Sequence, residues 1–296
     1  MADNTTIANL GDLAQPATAL VEKVSEAVGG IFRPYQIVRV AKAEAEAEKI
    51  KALAGVEITE IQQRGLTRMI VNEGKKQENI ESITAQAIPL LGEDAKPEEV
   101  EDDWIANFFE KCKHVSDREM QSLWSKILAG EANKAGTFSK RTVETVAQLD
   151  KADAQLFTNF CSYVWMWDGL IPFIYEPAHE IYMERGITFV RLVHLDDIGL
   201  ITFSDYSGFK KLLIPREILL HYYGTPIYVQ FPQEQNNELD AGKVILTKIG
   251  TELAPLCGSK KLDGYLEYVI GKWISKGLKV SSPLLNNPKA VPPDAA

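Results

Sequence analysis

Four histidines and three cysteines are the side chains of this 296-residue chain best suited to nucleophilic, acid-base or metal chemistry. Their spacing organises none of it. His114, His179, His194 and His221 fall in four separate segments, whereas a helical metal pair needs two ligands three or four residues apart on one face. Cys112 and His114 are close in sequence, but two residues apart on a helix they point to different faces, so they make no nucleophile-base pair. Cys112, Cys161 and Cys257 lie far apart, each inside an apolar run, which predicts buried thiols rather than a disulfide framework or a zinc site. No GxxxxGKS/T loop, GxGxxG turn, GxSxG elbow or HExxH pair occurs. The acids of GEDAKPEEVEDD follow one another along a loop instead of facing each other across a pocket, as acid-base work requires. Glu184, Arg185, Tyr222 and Tyr223 are of types that line pockets, but nothing in their spacing joins them. The residues therefore predict no catalytic group, no cofactor site and no metal site, and a protein that is not an enzyme.

The charge is equally restrictive. A formal net charge of -9 and an isoelectric point near 5.1 argue against a surface built as a whole to attract nucleic acid, although a local basic patch is compatible with them. The candidates for such a patch are Arg191, Lys210, Lys211 and Arg216. No run of eighteen uncharged apolar residues exists, and the start MADNTTIANLGD lacks the positive n-region and apolar core of a signal peptide. A cytoplasmic location is the expectation.

The elements that must position any site are mostly helices. Trp104, Phe108 and Cys112 repeat at i, i+4, i+8 with Ile105 and Phe109 alongside, the stripe of a helix lying on a core. Ser116 and Glu119 match a capping box and open a second helix with Met120, Leu123, Trp124, Ile127 and Leu128. Ser139 can cap a third, bearing Val143, Val146 and Leu149, and Asp150 a fourth, bearing Leu156, Phe157, Phe160, Cys161 and Val164. Short connections favour neighbouring helices, so a bundle over 104–168 centred on Trp104, Phe108, Leu123, Trp124, Ile127 and Phe157 is predicted.

A resemblance attaches to this stretch. The run DDWIANFFEKCKHVSDREMQSLWSKILAGE, followed by GTFSKRTVETVAQLDKADAQLF, resembles a bacterial family catalogued as domain of unknown function 2806 and, more faintly, the alpha-type abortive-infection proteins. The likeness extends upstream into RPYQIVRVAKAEAEAEKIKALA and downstream into HLDDIGLI and LTKIGTELAPL, so it covers most of the chain. Such a family brings no assigned chemistry and no catalytic residues to carry over. What it implies is a setting in phage defence or stress.

Ahead of the bundle, residues 1–16 read as a flexible tail and 17–92 as helical. Ala17, Leu20, Val21, Val24, Ala27, Val28, Ile31 and Phe32 form one apolar stripe, which docks on the body or a second copy, or lies in a membrane interface. Leu20, Val24, Val28, Ile31 and Phe32 are its candidate contact residues; the mixed charge opposite them favours docking or self-association over lipid. Residues 36–75 suggest a partly solvated hairpin or coiled arm, with Gly55 and Gly65 arguing against one continuous rod, and a further helix is expected over Asn79–Leu91. An acidic linker fills 93–103, where clustered acids suit the helix N-terminus that follows.

After Trp167 the texture changes. LIPFIY, GLITF, PIYVQF and KVILT read as strands, Ile187–Ile198 as a helix stopped by Gly199, and 262–277 as a last helix before a disordered tail over 281–296. Helix, strand, second strand and a helix opened by Thr247 resemble part of a winged-helix unit. The fold class expected is therefore mainly α with an α+β C-terminal part: a helical N-terminal arm, a short-helix bundle and a small winged-helix-like domain over 169–280. The function expected is a non-enzymatic interaction component, sensor, adaptor or scaffold, possessing no cofactor and forming a homo-oligomer or binding another protein. A winged-helix nucleic-acid binder is the first alternative, and a peripheral membrane protein acting through residues 17–32 the second.

Overall fold

Residues 14–29 and 59–283 are described in a computed structural model of the chain. They divide into two compact units, Met1–Ala147 and Gln148–Ala296. Among the described residues no helix is long and apolar enough to cross a membrane.

The first unit is helical. Helix α1, Gln15–Val28, has Pro16 in its first turn, where the missing N–H costs nothing, and ends at Gly29 in the left-handed conformation (φ 78°). Helix α2, Glu60–Ala87, opens on a capping box between Thr59 and Gln62 and runs unbroken through Gly65 and Gly74 into a Pro89-containing 3-10 turn, Ile88–Leu90. Two separate elements were expected here, an arm to 75 and a helix from Asn79. Two glycines cost only about 1 kcal/mol each in a helix that no proline interrupts. The part of that expectation over 36–58 lies outside the described residues.

Helix α3, Asp102–Cys112, buries Trp104, Ile105, Phe108, Phe109 and Cys112, with Asp102 and Asp103 at its positive end. Helix α4, Arg118–Asn133, is capped by Asp117, whose carboxylate accepts from the Glu119 and Met120 amides. The expected Ser116–Glu119 box does not form; the Ser116 hydroxyl instead accepts from Asn79. Helix α5, Lys140–Gln148, begins where the Thr142 amide donates to Ser139 Oγ. The core is aromatic: Trp104 stacks on Phe108 at 5.1 Å, and Phe108 meets Trp124 edge-on at 5.1 Å. Leu123 is only half-buried.

The second unit starts with helix α6, Lys151–Cys161, opened by an Asp150–Asp153 capping box. Its buried Leu156, Phe157, Phe160 and Cys161 belong to this unit, where α6 packs on helix α8, Phe189–Asp197, and on a 3-10 turn, Ala254–Leu256. The bundle expected over 104–168 is thus divided between the units, because the apolar face of α6 finds its partners downstream. Helix α7, Glu180–Met183, is a single turn.

Strands β1 (Val164–Met166), β2 (Leu170–Pro172), β5 (Glu217–Tyr222), β6 (Thr225–Gln230) and β9 (Lys279–Ser281) form one antiparallel sheet in the order β2-β1-β5-β6-β9. Two further pairs are β3 (Ile201–Phe203) with β8 (Val244–Leu246), and β4 (Phe209–Ile214) with β7 (Asn237–Gly242). Between Lys211 and Ile214 the β4 register slips, and Leu213 sits at φ 58°. Gly199 (φ 78°) ends α8, and Thr247 Oγ1 accepts from the Gly250 amide to cap helix α9, Lys248–Leu253. The expected succession α8, β3, β8, α9 is present, with all of 204–243 inserted between its strands. Helix α10, Tyr265–Ser275, closes the unit before β9.

Candidate functional site

The hydroxyls most able to do chemistry are built into the core of the second unit. Tyr265 Oη donates towards the Tyr163 and Phe173 carbonyls at 2.9 and 3.0 Å, Tyr182 to Phe173 O at 2.9 Å, and Tyr163 to Ile181 O at 2.7 Å. Tyr222 donates to Ser162 O at 2.9 Å and accepts from the Leu262 amide at 3.0 Å. Trp165, Phe173 and Trp273 fill the space between these rings. Burial pushes the phenols of Tyr163, Tyr182, Tyr222 and Tyr265 far above their ordinary range, and that of Tyr268 up to about 12. Such groups stay protonated, and Tyr163, Tyr182, Tyr222 and Tyr265 hold backbone carbonyls, whereas the Tyr268 hydroxyl is buried without a hydrogen-bond partner among the described residues. Tyr222 is a core residue, and Glu184 and Arg185 lie outside this network of ring contacts.

Two of the N-terminal contact residues are spent inside the first unit. Leu20 and Val24 are fully buried where α1 packs on α3 and on the Pro97–Glu99 turn, and Lys23 fixes the arrangement by pairing with Asp102 at 2.6 Å. For Leu20 and Val24 this is the docking-on-the-body alternative and not contact with a membrane or a partner, because a side chain already removed from water has no further apolar surface to offer. Val28 is half-buried, and Ile31 and Phe32 lie outside the described residues.

Each basic candidate has a contact of its own. Arg191 donates to the Gly186 carbonyl at 3.2 Å, Lys210 pairs with Glu238 at 2.8 Å, Lys211 lies over the Trp167 ring at 5.8 Å, and Arg216 pairs with Glu234. Phosphate recognition needs converging uncompensated cations, and two of these four already carry a carboxylate. Two of the four histidines are local fasteners: His179 Nδ1 accepts from the Ile181 amide, and His194 Nε2 lies 2.6 Å from Asp153, joining α8 to the first turn of α6. Among the described residues no group of three His, Cys, Asp or Glu side chains could hold a metal ion.

Two features escape the reading of the sequence. Cys161, the last residue of α6, and Cys257, just after the Ala254–Leu256 turn, are brought near one another, close enough for Cys257 to help raise the Cys161 thiol. Their separation in the chain hides this. Above them Tyr223 Oη donates to Ser259 Oγ at 2.6 Å and approaches the Cys161 carbonyl at 3.4 Å. The second feature is the first half of α2. The face that buries Ile80, Ile83 and Ala87 continues towards the N-terminus, at 3.6 residues per turn, as Ile61, Gly65 and Met69. There Ile61 is 72 % exposed and Met69 60 %; Val71, 64 % exposed, lies on the other side of the helix. The alternation of charge around them in the sequence signals a solvated helix, which is why the exposed stripe is missed.

Residues 63–270, well over half the chain, match the family described as "Protein of unknown function (DUF2806)". No curated protein and no solved structure matches.

Proposed function

The chain belongs to the DUF2806 family of proteins of unknown function, and from that premise we propose that it is a non-enzymatic interaction component that self-associates through the first half of α2. One observation carries the reading: Ile61 and Met69 stand exposed in the first half of a helix whose buried residues, among those described, lie between Asn79 and Ala87. Isolated surface hydrophobes are ordinary, but a stripe continuous with a buried helix face is the form in which helices take partners. The hydroxyls of Tyr163, Tyr182, Tyr222 and Tyr265, engaged with backbone carbonyls, agree with a role by contact rather than catalysis. The α8, β3, β8, α9 succession is then a winged-helix-like interaction module, since Lys210 and Arg216 nearby are each paired with a carboxylate.

Light scattering on the full chain tests this. A mass above the 33.0 kDa of one chain at micromolar concentration, falling to one chain in Ile61→Glu/Met69→Glu with an unchanged helical spectrum, is the expected result. A strict monomer with no co-purifying protein overturns it.

A further inference from the structure

We propose that Cys161 and Cys257 are a modification site, a thiol pair that closes to a disulfide within one chain when the protein meets a peroxide. Three observations place the sulfurs for it. The Ala254–Leu256 turn packs on α6, the Tyr223 hydroxyl bridges Ser259 and the Cys161 carbonyl at the end of α6, and Cys257 lies near enough to Cys161 to help raise its thiol. The environments of the partners divide the labour. Cys257 is partly exposed, its thiol donating to the Leu253 carbonyl at 3.4 Å, so it is the sulfur that an oxidant reaches. Cys161 is buried, and burial pushes its thiol well above the ordinary range, so it reacts second.

The chemistry balances with hydrogen peroxide as the oxidant. The Cys257 sulfur attacks one peroxide oxygen, the O–O bond breaks, and one water leaves with a sulfenic acid formed on Cys257. The Cys161 sulfur then attacks the Cys257 sulfur; the S–S bond forms, the S–O bond breaks, and the departing hydroxide takes the Cys161 proton as a second water. Two thiols are oxidised by two electrons, and one peroxide is reduced to two waters. Cys112 is buried on α3 in the other unit and serves as an internal control.

The test treats the folded full chain with hydrogen peroxide, blocks remaining thiols, and reads intact mass and disulfide-linked peptides. A mass lower by two hydrogen atoms, a Cys161–Cys257 peptide, an unmodified Cys112 and reversal by a dithiol are expected. Both Cys257→Ser and Cys161→Ala lose the link, while Cys112→Ser keeps it; circular dichroism on each variant establishes that it is folded. A link between chains, a pairing that includes Cys112, or sulfinic acid accumulating on Cys257 while Cys161 stays free overturns the proposal. So does survival of both thiols under peroxide that oxidises the urea-unfolded chain.

Discussion

Glu131 shows what a single side chain does in this molecule. It is 3 % exposed near the end of α4, and its carboxylate accepts from the Gly136 amide at 2.6 Å and the Phe138 amide at 2.8 Å. That fastening sets the loop whose Phe138 carbonyl in turn accepts from Trp104 Nε1 at 2.7 Å. Removing the carboxylate strands two backbone donors, so Glu131→Ala is expected to cost about 2–3 kcal/mol in urea unfolding, with Glu131→Gln between it and wild type. An unchanged midpoint would refute this reading. No sequence pattern announces Glu131, because its partners are backbone groups of a loop whose path the tertiary structure decides. The cysteine pair is invisible for the same reason: what joins Cys161 to Cys257 is packing between α6 and a turn almost a hundred residues later.

At the level of elements, what is legible is what is local. Gly29, Gly199 and Thr247 each terminate or open a helix where the residue type leads one to expect it, and the apolar stripes of α3 and α4 follow from their spacing. Strands β4 and β7 are not legible. FKKLLI lacks alternating hydrophobicity, NELDAG offers only Leu239 and Ala241 as apolar positions larger than glycine, and their pairing depends on a partner more than twenty residues away. Strand β1 follows α6 so closely that its residues read as a continuation of that helix. Glycines sort in the same way. A Cβ at Gly65 or Gly74 meets nothing within 4 Å, so Gly65→Ala and Gly74→Ala should each stabilise α2 by about 0.5–1 kcal/mol. A Cβ at Gly250 would run into the Leu200 carbonyl, so Gly250→Ala should instead lower the melting temperature. Thermal melts of the three variants check the opposite signs.

For the molecule as a whole, the buried phenols tie stability to alkalinity. Tyr163, Tyr175, Tyr182, Tyr222 and Tyr265 are all raised by burial. Above a pH of about 10 the unfolded chain gives up these protons while the folded chain keeps them, so the unfolded state binds fewer protons and stability falls as pH rises. Each phenol adds a slope of up to about 1.4 kcal/mol per pH unit. Cooperative unfolding on alkaline titration is expected, with tyrosinate absorbance from these residues arriving together with loss of the fold. Gradual tyrosinate formation in a protein that stays folded would contradict it. The slip at Leu213 has a consequence of another kind. A flat ribbon ending in two outward leucines, Leu212 and Leu213, would be a template on which further chains could stack into fibrils. With its backbone kinked at Leu213 and Lys210 and Lys211 just ahead, β4 offers no straight rim for a newcomer to zip onto.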